Sequence, residues 1–175
     1  MTVFTCYDFV YSHFTDIAER CLSDRLTAFY FSAEEFNANI KHIPLRDGEK
    51  PYIPYTGNGV FGIETNPESP LIIRRDGRTL SLPVRFHPVV SVTSSIGAGK
   101  PLEATVVHYL NGLVHKFQCY DSGLYVTYQY YAHRTLPAIF VQDIKISNPT
   151  NENFSMDLRQ IKVTKWPTVV SQTTT

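Results

Sequence analysis

Residues 102–120 read Leu102-Glu103-Ala104-Thr105-Val106-Val107-His108-Tyr109-Leu110-Asn111-Gly112-Leu113-Val114-His115-Lys116-Phe117-Gln118-Cys119-Tyr120. Two β-branched and aromatic runs flank Asn111-Gly112, a dipeptide suited to the positive φ at both centres of a type I′ hairpin turn. That turn sets a register in which Leu110 opposes Leu113, Tyr109 opposes Val114, and His108 opposes His115. One face then holds Ala104, Val106, His108, Leu110, Leu113, His115, Phe117 and Cys119, and is expected to be the core face. Glu103, Thr105, Val107, Tyr109, Val114, Lys116, Gln118 and Tyr120 fall on the other.

Working outward, the same pattern continues on both sides. Leu71–Arg75 and Thr79–Leu82 flank Asp76-Gly77, a second hairpin signal. Val84–Thr93 is an extended run that Pro83 and Pro88 push to an edge or a bulge. Leu124–Ala132, Ala138–Asn148 and Phe154–Thr164 follow, broken by Pro137 and Asn148-Pro149-Thr150. Strands at this spacing with no helix between them predict a mainly β chain folded as an antiparallel sandwich.

The first forty residues differ. Phe14, Ile17, Ala18, Cys21, Leu22, Leu26 and Phe29 recur at spacings of three and four, a helical stripe, with Asp16, Glu19, Arg20, Ser23 and Asp24 opposite. Ser12 is placed to cap this helix. Ser32 with Glu35 predicts a capping box that opens a second, shorter helix ending by Pro44. From Arg46 to Gly62, Asp47-Gly48, Pro51, Pro54, Gly57-Asn58-Gly59 and Gly62 read as a linker closing in a tight glycine turn. The organisation expected is a helical segment 1–45, a β-sandwich 46–166 and a polar tail 167–175 outside any element.

The chain has 175 residues, 43% hydrophobic and 13% aromatic, which excludes wholesale disorder. Sixteen basic residues balance sixteen acidic ones, so the basic excess of a nucleic-acid partner is missing. No apolar run reaches the roughly 20 residues that span a bilayer, and residues 1–10 lack the pattern of a signal peptide. Membrane insertion by this chain itself is therefore not expected. Cys6, Cys21 and Cys119 show no CxxC pair or metal spacing, leaving either three thiols or one disulfide and a thiol. Cys21 on a helix stripe and Cys119 inside a hairpin face read as poor partners. Cys6 with Cys21 is the pairing preferred in an oxidising compartment.

Candidate chemistry is sparse. Gly97-Ala98-Gly99-Lys100 lacks the Ser/Thr and helix of a phosphate loop, since Pro101 follows, so it reads as a connection between strands. His108 and His115, facing across the hairpin, supply two zinc ligands of the three or four a site needs; without another ligand they read as hydrogen-bonded histidines, and no metal or cofactor is expected. Glu64, Asp76, Glu103, Asp121 and Asp143 scatter over turns and faces rather than pairing as glycosidase carboxylates, and Asp143 reads as an outward residue or a partner of Arg134. No catalytic residue is assigned. Tyr125, Tyr128, Tyr130, Tyr131 and Trp166 suit a core or interface better than sugar stacking. Asn153-Phe154-Ser155 is an N-glycosylation sequon.

Two segments carry a resemblance. Pro54-Tyr55-Thr56-Gly57-Asn58-Gly59-Val60-Phe61-Gly62-Ile63 is similar to the opening of the β-supersandwich domain in family 65 glycoside hydrolases and disaccharide phosphorylases. Joined in order to His133-Arg134 through Pro137 and Phe140–Thr150, it resembles an uncharacterised animal family of single-pass type I membrane proteins with a domain of unknown function. The resemblance implies a supersandwich-like, incomplete sheet from the N-terminal luminal or extracellular portion of a longer parent. It transfers no catalytic residue, only Gly57, Asn58 and Gly59 as a structural turn beside Asn111 and Gly112. The function expected is a non-catalytic segment of a membrane glycoprotein. A carbohydrate-binding or accessory domain and a protein-interaction scaffold are the alternatives, with a glycan, a protein or the rest of the parent as partner. A sheet left uncovered in this way is expected to be marginally stable and to self-associate.

Overall fold

The computed structural model describes residues 6–65, 71–75, 78–82, 90–94, 99–151, 153–160 and 172–174. A long helix, α1 (Cys6–Glu34), opens the chain and β1 (Ala38–Ile43) follows it directly. Next come β2 (Tyr55–Gly57), β3 (Phe61–Glu64), β4 (Leu71–Arg75), β5 (Arg78–Leu82) and β6 (Val90–Ser94). The second half holds β7 (Leu102–His108), β8 (Leu113–Cys119), β9 (Tyr125–Ala132), β10 (Phe140–Ser147), β11 (Met156–Gln160) and β12 (Gln172–Thr174). The central sheet has the order β1-β7-β8-β9-β10 and is antiparallel throughout. β11 pairs with β6, and a third sheet runs β12-β5-β4-β3-β2. The expected mainly β, antiparallel, sandwich-like architecture is the one observed.

The helical stripe does its predicted work. Ala18, Leu22 and Leu26 are buried, with Cys21 and Phe29 beside them, while Glu19, Arg20, Ser23 and Asp24 face water. Ile17 departs from the stripe and is exposed. Ser12 is not the cap, because the helix is already running at Cys6. The second helix expected from Ser32 does not form: Ser32 lies in the last turn of α1, where its carbonyl accepts the Asn37 amide at 2.8 Å while the Ala33 carbonyl accepts that of Phe36 at 3.1 Å. These crossed bonds end the helix with Phe36 in the left-handed region at φ 59°. The chain reverses there and enters β1, whose residues pair with β7 from Ala38↔His108 to Ile43↔Glu103. Local capping chemistry loses because a strand here completes the ladder of β7.

Both faces of the β7–β8 hairpin are buried, where one core face was expected. Ala38, Ala104, Val106, Phe117 and Cys119 pack under α1. On the reverse face Val114, Tyr120, Val126, Tyr128 and Tyr130 pack with Val92 of β6, flanked by Phe154 and by Met156 of β11. Leu110, assigned to the core by the type I′ register, is instead 69% exposed.

The register explains this. His108 pairs with Leu113 and Val106 with His115, so the connection is the four residues 109–112. The slip is two residues, an even number, so every strand side chain keeps its predicted face. Only Gly112 has positive φ, at 69°, and its amide donates to the His108 carbonyl at 3.0 Å. Tyr109 is held outside the hairpin ladder by donating its amide to Asn37 at 2.8 Å, next to β1. Nothing lies within 4 Å of a Cβ placed on Gly112, so the cost of substitution there is pure backbone strain. Gly112→Val is expected to lower stability by about 1–3 kcal/mol, read as a shift of the urea midpoint; an unchanged midpoint would show the turn to be unstrained.

The Asp76-Gly77 signal is matched by its flanks, since Arg75 pairs with Arg78 and Leu71 with Leu82; the two turn residues themselves lie outside the described residues. The stretch read as a linker contains β2 and the start of β3, joined by the glycine turn. The polar tail does contain an element: β12 pairs with β5 from Gln172↔Ser81 to Thr174↔Thr79. Threonine favours a pleated edge, and the free side of β5 supplies the partner.

Candidate functional site

The glycine turn at Gly57-Asn58-Gly59 is a joint between parts of the fold. A Cβ on Gly57 would stand 2.7 Å from the Phe61 carbonyl oxygen, so only glycine fits that close approach, and Gly59 has φ 86°. The Asn58 side chain is used at both ends. Its Oδ1 accepts the amides of Val60 (3.1 Å) and Phe61 (3.3 Å), and its Nδ2 donates to the carbonyls of His133 (3.0 Å) and Pro137 (3.1 Å). The two segments that carry the sequence resemblance are therefore in direct contact through this one amide. His133 Nδ1 accepts from the amides of Thr135 and Leu136, shaping the loop that Asn58 holds.

The hairpin tip closes against the same joint. Buried Thr56 donates its hydroxyl to the Gly112 carbonyl at 2.9 Å, and Arg134 Nη2 reaches the Asn111 carbonyl at 3.3 Å. Two hollows result, with Gly57 and Gly112 as shared wall. One, of about 190 Å³, is lined by Tyr52, Ile53, Tyr55 and Tyr109 among others. The second, of about 300 Å³, is lined by Asn58, Leu110, Asn111, Ala132 and Arg134. Together they contribute aromatic rings, side-chain amides and a guanidinium, and among the described residues no carboxylate lines either. Burial, reinforced by the Glu64 carboxylate, raises the Tyr55 hydroxyl's pKa, so it is a neutral donor at physiological pH.

His108 and His115 do not oppose each other. They lie diagonally on the helix-facing side, grouped around Phe29, whose ring centroid is 6.2 Å from His108 and 4.9 Å from His115. No third His, Cys, Asp or Glu joins them in a metal-holding group among the described residues, and Cys119 is bonded to Cys21. Burial first, and the His108 charge second, lower the pKa of His115. A histidine whose pKa falls on folding binds its proton more readily in the unfolded chain. Its contribution is complete above about pH 6.5 and is lost as pH falls through that value toward the folded pKa. Urea unfolding is expected to show lower stability at about pH 5.5 than at about pH 7.5, with a shallower slope in His115→Gln. Equal slopes in the two proteins would refute the assignment.

The third histidine of that side, buried His42 on β1, was not singled out by its spacing. Its Nδ1 meets Glu49 Oε1 at 2.5 Å, and Glu49 Oε2 accepts the amides of His42 (2.8 Å) and Arg46 (3.1 Å). Burial alone would raise the Glu49 pKa, but these bonds from His42 and Arg46 outweigh it and lower it. The pair pins the loop after β1.

The remaining predicted residues fall as follows. Gly99 and Lys100 are exposed ahead of β7, while Gly97 and Ala98 lie outside the described residues. Asp143 is exposed opposite Gln129, and Arg134 contacts Asn111 rather than Asp143. Tyr128 and Tyr130 are core residues, Tyr125 lies under the Arg25 guanidinium at 3.4 Å, and Trp166 is outside the described residues. Asn153 is exposed shortly before β11.

The cysteine expectation is overturned. Cys21 and Cys119 form a disulfide, with Cα atoms 6.0 Å apart across 98 residues of sequence. The helix stripe and the hairpin face were read as separate surfaces, yet each is what buries the other, and this contact brings the two thiols together.

Fold and joint together define a helix-backed antiparallel β-sandwich, clamped by a disulfide, with a groove where two glycine turns meet. The chain belongs to the family described as Uncharacterized conserved protein (DUF2152), whose model matches residues 3–174. Searches of curated proteins and of solved structures find no significant match to it.

Proposed function

We propose that this chain is a non-catalytic luminal or extracellular β-sandwich segment of a membrane protein. The observation that carries the reading is the Cys21–Cys119 bridge, because disulfides form and persist in oxidising compartments and are rare in the cytosol. The exposed position of Asn153 within its sequon supports it, since a glycan there would meet solvent and leave packing undisturbed. The membrane tether comes from the family resemblance. The test follows the endogenous product: a mobility shift on glycan removal, absent in Asn153→Gln, with residues 21 and 119 linked without reductant. A cytosolic product with Asn153 unmodified and both thiols reduced would overturn the proposal.

A second reading, carbohydrate binding, is favoured by the groove. Tyr52, Tyr55 and Tyr109 line one hollow and Asn111 and Arg134 the other, the mixture that a hydroxyl-rich, partly apolar sugar ring requires.

A further inference from the structure

We propose that the groove at Gly57 and Gly112 takes an oligosaccharide bearing a carboxylate, with a neutral ring against the tyrosines and the carboxylated sugar at Arg134. The proposal rests on the carbohydrate reading and adds the anionic specificity and the orientation. Arg134 is exposed, and its guanidinium gives only one long bond, 3.3 Å to the Asn111 carbonyl, among the described residues. Among the described residues no carboxylate lines either hollow, so none of them pairs with the guanidinium where a ligand would sit. A planar guanidinium with free donors pairs a carboxylate in two parallel bonds, which neither a hydroxyl nor a neutral ring offers. The other hollow has the complementary character: Tyr109 is 53% exposed and Tyr52 41%, rings already held open to solvent.

The groove is also built to hold its shape. Its shared wall is fixed by the Thr56–Gly112 bond, and its outer loop by the two bonds from Asn58 to His133 and Pro137. A ligand therefore orders little of the protein on binding. Two hollows of about 190 Å³ and about 300 Å³ sharing one wall suit two linked rings better than one compact anion. A peptide carboxylate would satisfy Arg134 alone, leaving the tyrosines without a role.

The test is amide chemical-shift titration of the full chain with 3′-sialyllactose, a hyaluronan tetrasaccharide, lactose, chitotetraose and N-acetyl-dialanine. The two carboxylated sugars are expected to move the amides of residues 109–112 and 132–134 and to bind about tenfold more tightly than lactose. Arg134→Ala should reduce 3′-sialyllactose to the level of lactose, Arg134→Lys should retain part of the difference, and Tyr109→Ala should weaken both sugars together. Both positions are exposed, and thermal unfolding of each variant confirms that the fold is kept. Equal affinity for lactose and 3′-sialyllactose, unmoved by Arg134→Ala, would overturn the anionic specificity while leaving carbohydrate binding in place. Silence from every sugar, chitotetraose included, would overturn the carbohydrate reading as well. Binding of N-acetyl-dialanine as tight as that of 3′-sialyllactose would assign the site to peptide termini and overturn the proposal.

Discussion

Reducing the Cys21–Cys119 bridge is expected to lower the free energy of unfolding by about 4 kcal/mol. The bond joins residues 98 apart, so in the unfolded chain it closes a loop spanning more than half the protein. Closing a loop of roughly 100 residues removes conformational freedom equivalent to about 4–5 kcal/mol, and measured losses on removing native disulfides run from about 2 to 5 kcal/mol. A typical domain has only about 5–15 kcal/mol in total, so the change is large. The bridge also ties α1 to β8, the middle of the core that Ala18, Leu22 and Leu26 form with Ala104, Val106 and Phe117. Guanidinium unfolding with and without reductant, and of Cys21→Ser with Cys119→Ser, measures the effect. A midpoint that does not move on reduction would show that the two thiols are not bonded in solution.

Truncating Tyr128 is the second large effect. Its ring is 2% exposed in the core beneath β6 and β11 and stacks on Tyr130 at 6.1 Å between centroids. Its hydroxyl donates to Gln118 Oε1 at 2.8 Å and accepts the Val92 amide at 3.0 Å. Gln118 in turn donates to Glu103 Oε1 at 2.6 Å, and Glu103 Oε2 pairs with Lys116 at 2.9 Å. Burial raises the phenol's pKa to about 12, so it remains a donor across the physiological range. Tyr128→Phe keeps the ring and strands the Val92 amide and the Gln118 oxygen, for a loss of about 2 kcal/mol. Tyr128→Ala removes the ring as well and is expected to cost about 4 kcal/mol. Denaturant midpoints of the two variants separate the terms; a Tyr128→Phe protein as stable as wild type would mean that the polar chain is not formed.

The same polar chain shows where one-face reasoning along a strand fails. Glu103, Lys116 and Gln118 mark their face as wet by composition. The face is nevertheless covered, because these groups satisfy one another and β6 and β11 lie over the apolar residues between them. Alternation decides which side chains share a face, and that survived even the two-residue slip of the hairpin. What covers each face depends on strands distant in sequence.

For the groove, Gly57, Asn58, Gly59 and Asn111-Gly112 were legible as turns, since glycine and asparagine carry local backbone preferences. That the turns meet was not legible, because the meeting is made by Thr56 reaching Gly112, 56 residues away, and the loop beside it is held by Asn58 reaching His133 and Pro137, 75 and 79 residues away. Arg134, Tyr52 and Tyr109 carried no local signal of a shared site.

By itself the sequence determined the class and most of the elements. The three-and-four spacing of Ala18, Leu22 and Leu26 specified a helix with one buried stripe, and alternation around two turn dipeptides specified antiparallel hairpins. These are short-range properties, set by backbone geometry and by which side chains share a face. Only the tertiary structure decided the rest. Residues 38–43 became a strand because β7 offered a ladder, stronger in sum than a capping box. The hairpin connection widened to four residues because Tyr109 is bonded to Asn37. Cys21 found Cys119 because the helix stripe and the sheet face are two sides of one core, a contact that no spacing along the chain encodes.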